Sequence, residues 1–193
     1  KEVFPHVRVD LAARHVEVDG VVPVDCHDAT TPVVYLEVFV CTPDTREHEA
    51  LVMTQAKAAH VHAALLMLGL EPGAPGRIAW DGAAPRRIEP RGAALRVRFR
   101  AGEPAGRMSE EVDPWSWVVL TSGRKPDSTG GRFVFAGSRF LQRPDPVTGV
   151  PTEVYDADGA GTLVGLTTFG SETVAWSEVL SPDAAVQEPE WIA

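Results

Sequence analysis

Two stretches decide the fold: Val33-Val34-Tyr35-Leu36-Glu37-Val38-Phe39-Val40, closing on Cys41, and the run from Lys57 to Leu70, KAAHVHAALLMLGL. The first is β-branched, aromatic and nearly continuously apolar, the pattern of a central strand covered on both faces. Glu37 is the exception inside it. Pro32 opens the run, and Thr42-Pro43-Asp44-Thr45 ends it with turn chemistry. In the second stretch Val61, Leu65 and Leu68 recur at i, i+4 and i+7, which makes one buried helical stripe. Ala58, Ala59, Ala63 and Ala64 let that helix lie close on a sheet. Thr54 is placed to cap its start, Gly69 to take the left-handed C-terminal position, and Pro72 to block continuation. The strand and the helix are expected to share one wall of the core.

Working outward, Glu49 to Thr54 reads as the partner strand of the central strand. Residues 3–24 read as two or three short antiparallel strands, with Asp19-Gly20 as a turn signal. Residues 71–92, rich in proline, read as loop. Leu95 to Arg100 alternates, which puts Arg96, Arg98 and Arg100 on one face. Trp115–Leu120 and Arg132–Leu141 read as strands, with residues 122–131 as a turn region between them. Residues 143–158 read as a surface loop. Thr162–Phe169 and Glu172–Leu180 read as strands flanking a Gly170-Ser171 hairpin turn. The fold class expected is α+β, mainly antiparallel β-sheet with one principal helix at about 57–70. Residues 1–182 form one compact domain in this reading, and 183–193 a tail.

Composition narrows the function classes. There are 18 Lys plus Arg and 27 Asp plus Glu, so the net charge is 18 − 27 = −9. Such a chain repels phosphate backbones and anionic membrane surfaces, so neither nucleic acid nor a lipid surface is expected as partner. The apolar run Ala63–Leu70 is far short of the roughly 20 residues a membrane helix needs. The 17 Gly and 16 Pro punctuate the chain too often for long helices.

The segment Cys41-Thr42-Pro43-Asp44-Thr45-Arg46-Glu47-His48-Glu49, with Lys57-Ala58-Ala59-His60-Val61-His62-Ala63-Ala64-Leu65-Leu66, Gly69 and Pro72-Gly73, resembles the YdjY-like domain family of bacterial exported proteins. The similar block covers roughly residues 15–80. Gly161–Gly165 and Glu172–Trp176 resemble the longer members. The resemblance implies no established activity. It implies a periplasmic or extracellular location, consistent with Lys1 rather than Met at the first position, read as a signal peptide removed or a trimmed boundary. Some relatives carry extra cysteines and an iron–sulfur label. A four-iron cluster takes about four cysteine ligands, and this chain has only Cys26 and Cys41, so no iron–sulfur cluster is expected.

Candidate sites follow from residue types. Cys41, His48 and Glu49, with His62 on the next helix, are the ligand chemistry of Zn²⁺. If the strands pair as a hairpin, Cys41 and His48 lie close. His48 and Glu49 are adjacent, however, and point to opposite faces of a strand. The bland alternative is a turn-supporting histidine and an ion-paired glutamate. His60 and His62 diverge on the helix and cannot chelate together. Cys26 and Cys41 form a disulfide, remain free thiols, or act as ligands with His27. No cofactor is required by any motif, and a divalent metal such as Zn is the alternative. Ser138, Ser171 and Ser177 lack a nucleophile elbow. Trp115 and Trp117 share a face if extended, as core or as a docking patch for a partner or glycan. Three function classes result: a non-catalytic accessory module docking onto a protein partner or larger assembly, a metal-dependent hydrolase centred on Cys41, His48 and Glu49, and a glycan-binding module.

Overall fold

The elements are short because Gly and Pro interrupt every apolar run. The computed structural model describes residues 1–26, 30–81, 84–102, 109–125, 131–183, 187 and 191–193. Strands β1 (Glu2–Phe4), β2 (Val7–Asp10) and β3 (His15–Val18) make an antiparallel meander. Next come β4 (Val38–Cys41), β5 (Ala50–Met53), helix α1 (Ala58–Met67), β6 (Arg77–Asp81), β7 (Ala84–Ile88) and β8 (Ala94–Leu95). The second half supplies β9 (Val119–Leu120), β10 (Phe133–Phe135), β11 (Phe140–Pro144), β12 (Pro151–Tyr155), helix α2 (Asp156–Ala160), β13 (Val164–Gly165), β14 (Val174–Trp176) and β15 (Trp191–Ile192). The fold is α+β, β-rich, with mostly antiparallel pairing and one long helix.

The main sheet has six strands in the order β5-β4-β13-β14-β10-β8. Its second and third strands are the antiparallel pair β4–β13. On each side of that pair lies a parallel one, β4–β5 and β13–β14. The second was expected to be a hairpin, and the first was considered as one. Parallel crossovers usually take a dozen or more residues; here residues 42–49 and 166–173 suffice. The strands they return along are so short, about 3.3 Å per residue, that eight residues of chain cover the distance. Thr42-Pro43-Asp44-Thr45 does turn the chain, but the turn sends it back along the sheet instead of reversing it.

The central stretch is buried throughout β4, as its unbroken apolar character requires. Leu36, Phe39 and Val40 belong to the same large hydrophobic cluster as Val61, Leu65 and Leu68 of α1, but the helix packs on β2, β3 and α2 and not directly on β4 as expected, because the β1–β3 meander covers it. Phe39 sits among Phe99, Trp115 and Phe133, with ring centroids 6.1, 4.9 and 5.7 Å away. Helix α1 lies against β2, β3 and α2, with His62 edge-on to Phe135 of β10 at 4.9 Å. Its C-terminus closes as a Schellman motif: Gly69 at φ +75°, its N–H donating to Leu66 O, and Leu70 N–H donating to Leu65 O. Thr54 does not cap the start. Its hydroxyl accepts from Ala56 N at 3.1 Å, while Asp158 Oδ1 of distant α2 accepts from Ala59 N at 3.1 Å.

Other segments differ from their local reading because pairing partners lay elsewhere in the chain. Residues 71–92 contain the β6–β7 hairpin, and 143–158 hold part of the β11–β12 hairpin and α2. Pro114–Trp117 is a 3₁₀ turn, because Pro114 starts it and Asp113 accepts from Trp115 N. The segment after Pro182 is not wholly a tail: β15 pairs with β9, and Trp191 is buried against Trp115 at 5.5 Å. Much of the 122–131 turn region lies outside the described residues. Among the described residues no helix is long and apolar enough to cross a membrane.

Candidate functional site

The parallel pairing of β4 and β5 separates the residues proposed as metal ligands. Its register matches Cys41 with Met53, and Val38 with Ala50, so Cys41 and the start of β5 lie at opposite ends of the pair. Cys41 is fully buried, and burial pushes its thiol up to about 11, helped by the charge of Glu47. His48 lies in a 3₁₀ turn with its side chain 79% exposed, whereas Glu49 turns inward. The two still approach, His48 Nε2 to Glu49 Oε2 at 3.7 Å. His62 is elsewhere, with Nδ1 2.9 Å from the Tyr155 hydroxyl. Among the described residues no three His, Cys, Asp or Glu side chains come together as a metal's ligand set. Cys26 is exposed and Cys41 buried, and both are free thiols, so the bridge considered above is not formed. His27 lies outside the described residues.

What the two crossover loops do gather is carboxylates. Arg46 Nη1 hydrogen-bonds Glu49 Oε1 and stands 3.6 Å from Glu37 Oε2. Its Nε donates to Ala160 O at 2.8 Å, and its guanidinium lies 3.7 Å over the Phe169 ring. Burial raises the Glu37 carboxyl to about 7, and the neighbouring Glu49 carboxylate adds to that against the opposing pull of Arg46. In the second loop Glu172 is 1% exposed. Its Oε1 accepts from Phe169 N and Gly170 N, while Oε2 has no hydrogen-bond partner. Burial moves this carboxyl above the ordinary range although the two backbone donors act the other way. Gly165 makes room for it, since a Cβ there would lie 2.5 Å from Glu172 Cγ.

Behind these loops runs a hydroxyl network. Tyr155 donates to Gly137 O at 3.0 Å and meets Thr173 Oγ1 at 3.0 Å. With that proton committed, His62 Nδ1 is the donor to the Tyr155 oxygen. Burial lowers the His62 pKa, which keeps the ring neutral. Ser138 Oγ donates to Ser171 O at 2.6 Å, Ser171 Oγ meets Thr162 Oγ1 at 3.0 Å, and Ser177 Oγ accepts from Arg132 N at 3.0 Å. None of these serines bonds to a histidine, so no nucleophile and base are paired here.

The surface tells a different story. Trp115 is 7% exposed and packs in the aromatic core. Trp117 is at the margin of exposure and stacks on Phe99 at 5.5 Å. The two do not form the shared patch that an extended strand would give. Trp80 on β6 is instead 66% exposed. On the same hairpin Arg77, Arg86, Arg87 and Ile88, with Glu89 and Arg91 just beyond it, line an open concavity of about 480 Å³.

A family model for the YdjY domain matches residues 7–171 of the 193. The chain belongs to the YdjY domain family. No curated protein and no solved structure matches it. The YdjY match extends far beyond the 15–80 block and takes in the β6–β7 hairpin and the Arg46 loop, stopping one residue short of Glu172. Sequence reasoning about this YdjY domain missed that hairpin because its prolines and the short spacing between strands resemble loop. The legible signal was Arg77-Ile78-Ala79-Trp80 facing Arg86-Arg87-Ile88, two arginine-bearing apolar ribbons in an acidic chain.

Proposed function

We propose that this YdjY domain is a non-catalytic accessory module, working outside the cytoplasm, that docks onto a protein partner or larger assembly. The carrying observation is the β6–β7 hairpin. It forms a sheet of its own and presents a two-thirds-exposed tryptophan beside arginines on a chain of net charge −9. Tryptophan and arginine are the side chains that dominate interface energetics. The hairpin is also braced, which makes it usable as a rigid platform: the Ala74–Arg91 bridge ties its base, with both hydrogen bonds at 2.9 Å. The location outside the cytoplasm rests on the resemblance to exported proteins.

The scattered positions of Cys41, His48, Glu49 and His62, and the separate environments of Trp115 and Trp117, lend the hydrolase and glycan readings no comparable support. Purification from the native host should return the domain with a stoichiometric protein partner, and Trp80→Ala should release it while the fold is retained. A ligand-free monomer recovered consistently, or a partner held equally well by Trp80→Ala, counts against the docking role.

A further inference from the structure

We propose that the arginine concavity on the β6–β7 hairpin is the docking site for an acidic, Asp- and Glu-rich segment of the partner, a claim that rests on the docking role argued above. Six of the fourteen described arginines are neutralised. Arg8, Arg46, Arg98, Arg100, Arg139 and Arg143 each hold at least one carboxylate. Arg77, Arg86, Arg87 and Arg91 line one concavity, and among the described residues none of them forms an ion pair, although acids outnumber bases 27 to 18. Glu89 is the single acid lining the space. Among the described residues, the one side-chain hydrogen bond of the four is Arg87 Nη2 to Gln187 Oε1 at 3.3 Å.

Register brings two of them to one face and sets Arg87 on the other, so the concavity is lined from both sides of the ribbon. Arg77 pairs with Ile88 and Ala79 with Arg86, which puts Arg77 and Arg86 on one face of the ribbon; Ile78 pairs with Arg87 and Trp80 with Pro85 on the other. Holding several guanidinium groups around one space is unfavourable unless an anion enters. Each guanidinium offers a planar fork that matches a carboxylate in bidentate geometry. The space is open and its arginines exposed, which suits successive side chains of an extended segment better than one enclosed small ligand.

The test uses the whole chain and oligo-glutamate as the probe, read by tryptophan fluorescence, with Trp80→Phe identifying the reporter. Oligo-glutamate should bind saturably and weaken steeply with added salt, and oligo-glutamine should not bind. Arg86→Glu with Arg87→Glu, checked for native circular dichroism, should lower affinity at least about tenfold. Unchanged affinity in that variant overturns the site. Binding of pyrophosphate or of phosphatidylglycerol vesicles without binding of oligo-glutamate overturns the acidic-segment assignment in favour of a phosphate or a lipid surface. The docking role fails separately: if the natural partner stays bound to the charge-reversed variant, docking stands and the acidic segment does not. If oligo-glutamate binds but no partner ever co-purifies, the reverse holds.

Discussion

The crossover loops at 42–49 and 166–173 and the β6–β7 hairpin handle charge in opposite ways. In the loops Arg46 bridges Glu37, Glu49 and the Phe169 ring, and Glu172 holds two backbone N–H groups through Oε1 while its buried Oε2 has no partner. Around the hairpin, Arg77, Arg86, Arg87 and Arg91 pair with no carboxylate among the described residues. Groups that satisfy one another inside a fold stabilise it and leave nothing to react. Groups that face solvent unneutralised contribute little to stability and are free to bind. The loop residues Arg46, Glu37, Glu49 and Glu172 are engaged inside the fold, whereas the arginines of the hairpin region are exposed.

That contrast breaks most easily at Glu172. Glu172→Ala should cost about 3 kcal/mol, because two N–H groups lose their acceptor and a buried volume empties. Chemical denaturation measures it. Glu172→Gln should cost much less, since it keeps an acceptor oxygen and the native carboxyl is already pushed toward its neutral form by burial. Arg46→Ala should follow at about 2 kcal/mol, its partners being only partly screened by water. The same urea titration checks it.

The fold was legible where local pattern and burial coincide. The spacing of Val61, Leu65 and Leu68 located α1 within a few residues of its bounds, and Gly69 marked its end. The continuous apolar character of Val38–Val40 marked a buried interior strand. Strand direction was not legible, because Thr42-Pro43-Asp44-Thr45 is equally good chemistry for reversing the chain and for starting a short return. The same ambiguity hid β13–β14. Trp191 belonged to the core through β9, a partner about seventy residues away that no local pattern names. For the site, residue types marked Cys41, His48, Glu49 and His62 as a ligand set, and the structure does not bring the four together. Their neighbours depended on that direction, so a zinc cluster and an ion-paired loop looked alike on paper.

A smaller effect sharpens the comparison through pH. Glu37 titrates at about 7 in the folded chain against an ordinary carboxyl value of 4.5. The folded state therefore binds the extra proton. Its stabilising contribution is complete below about 4.5 and is lost as pH rises through about 7. Urea midpoints across this window should fall with rising pH, and Glu37→Gln should flatten the slope. At the bottom of the scale, Arg86→Ala with Arg87→Ala should change stability by less than about 0.5 kcal/mol. A larger loss in calorimetry would mean that the hairpin's charges are structural after all.

Native-state hydrogen exchange compares the two regions in one experiment. The Phe169 and Gly170 amides, held by Glu172, should exchange only through global unfolding. The β6–β7 amides should open locally, at a free energy lower by at least about 2 kcal/mol. Loop amides that exchange as readily as those of the hairpin would contradict the assignment of structure to one and binding to the other.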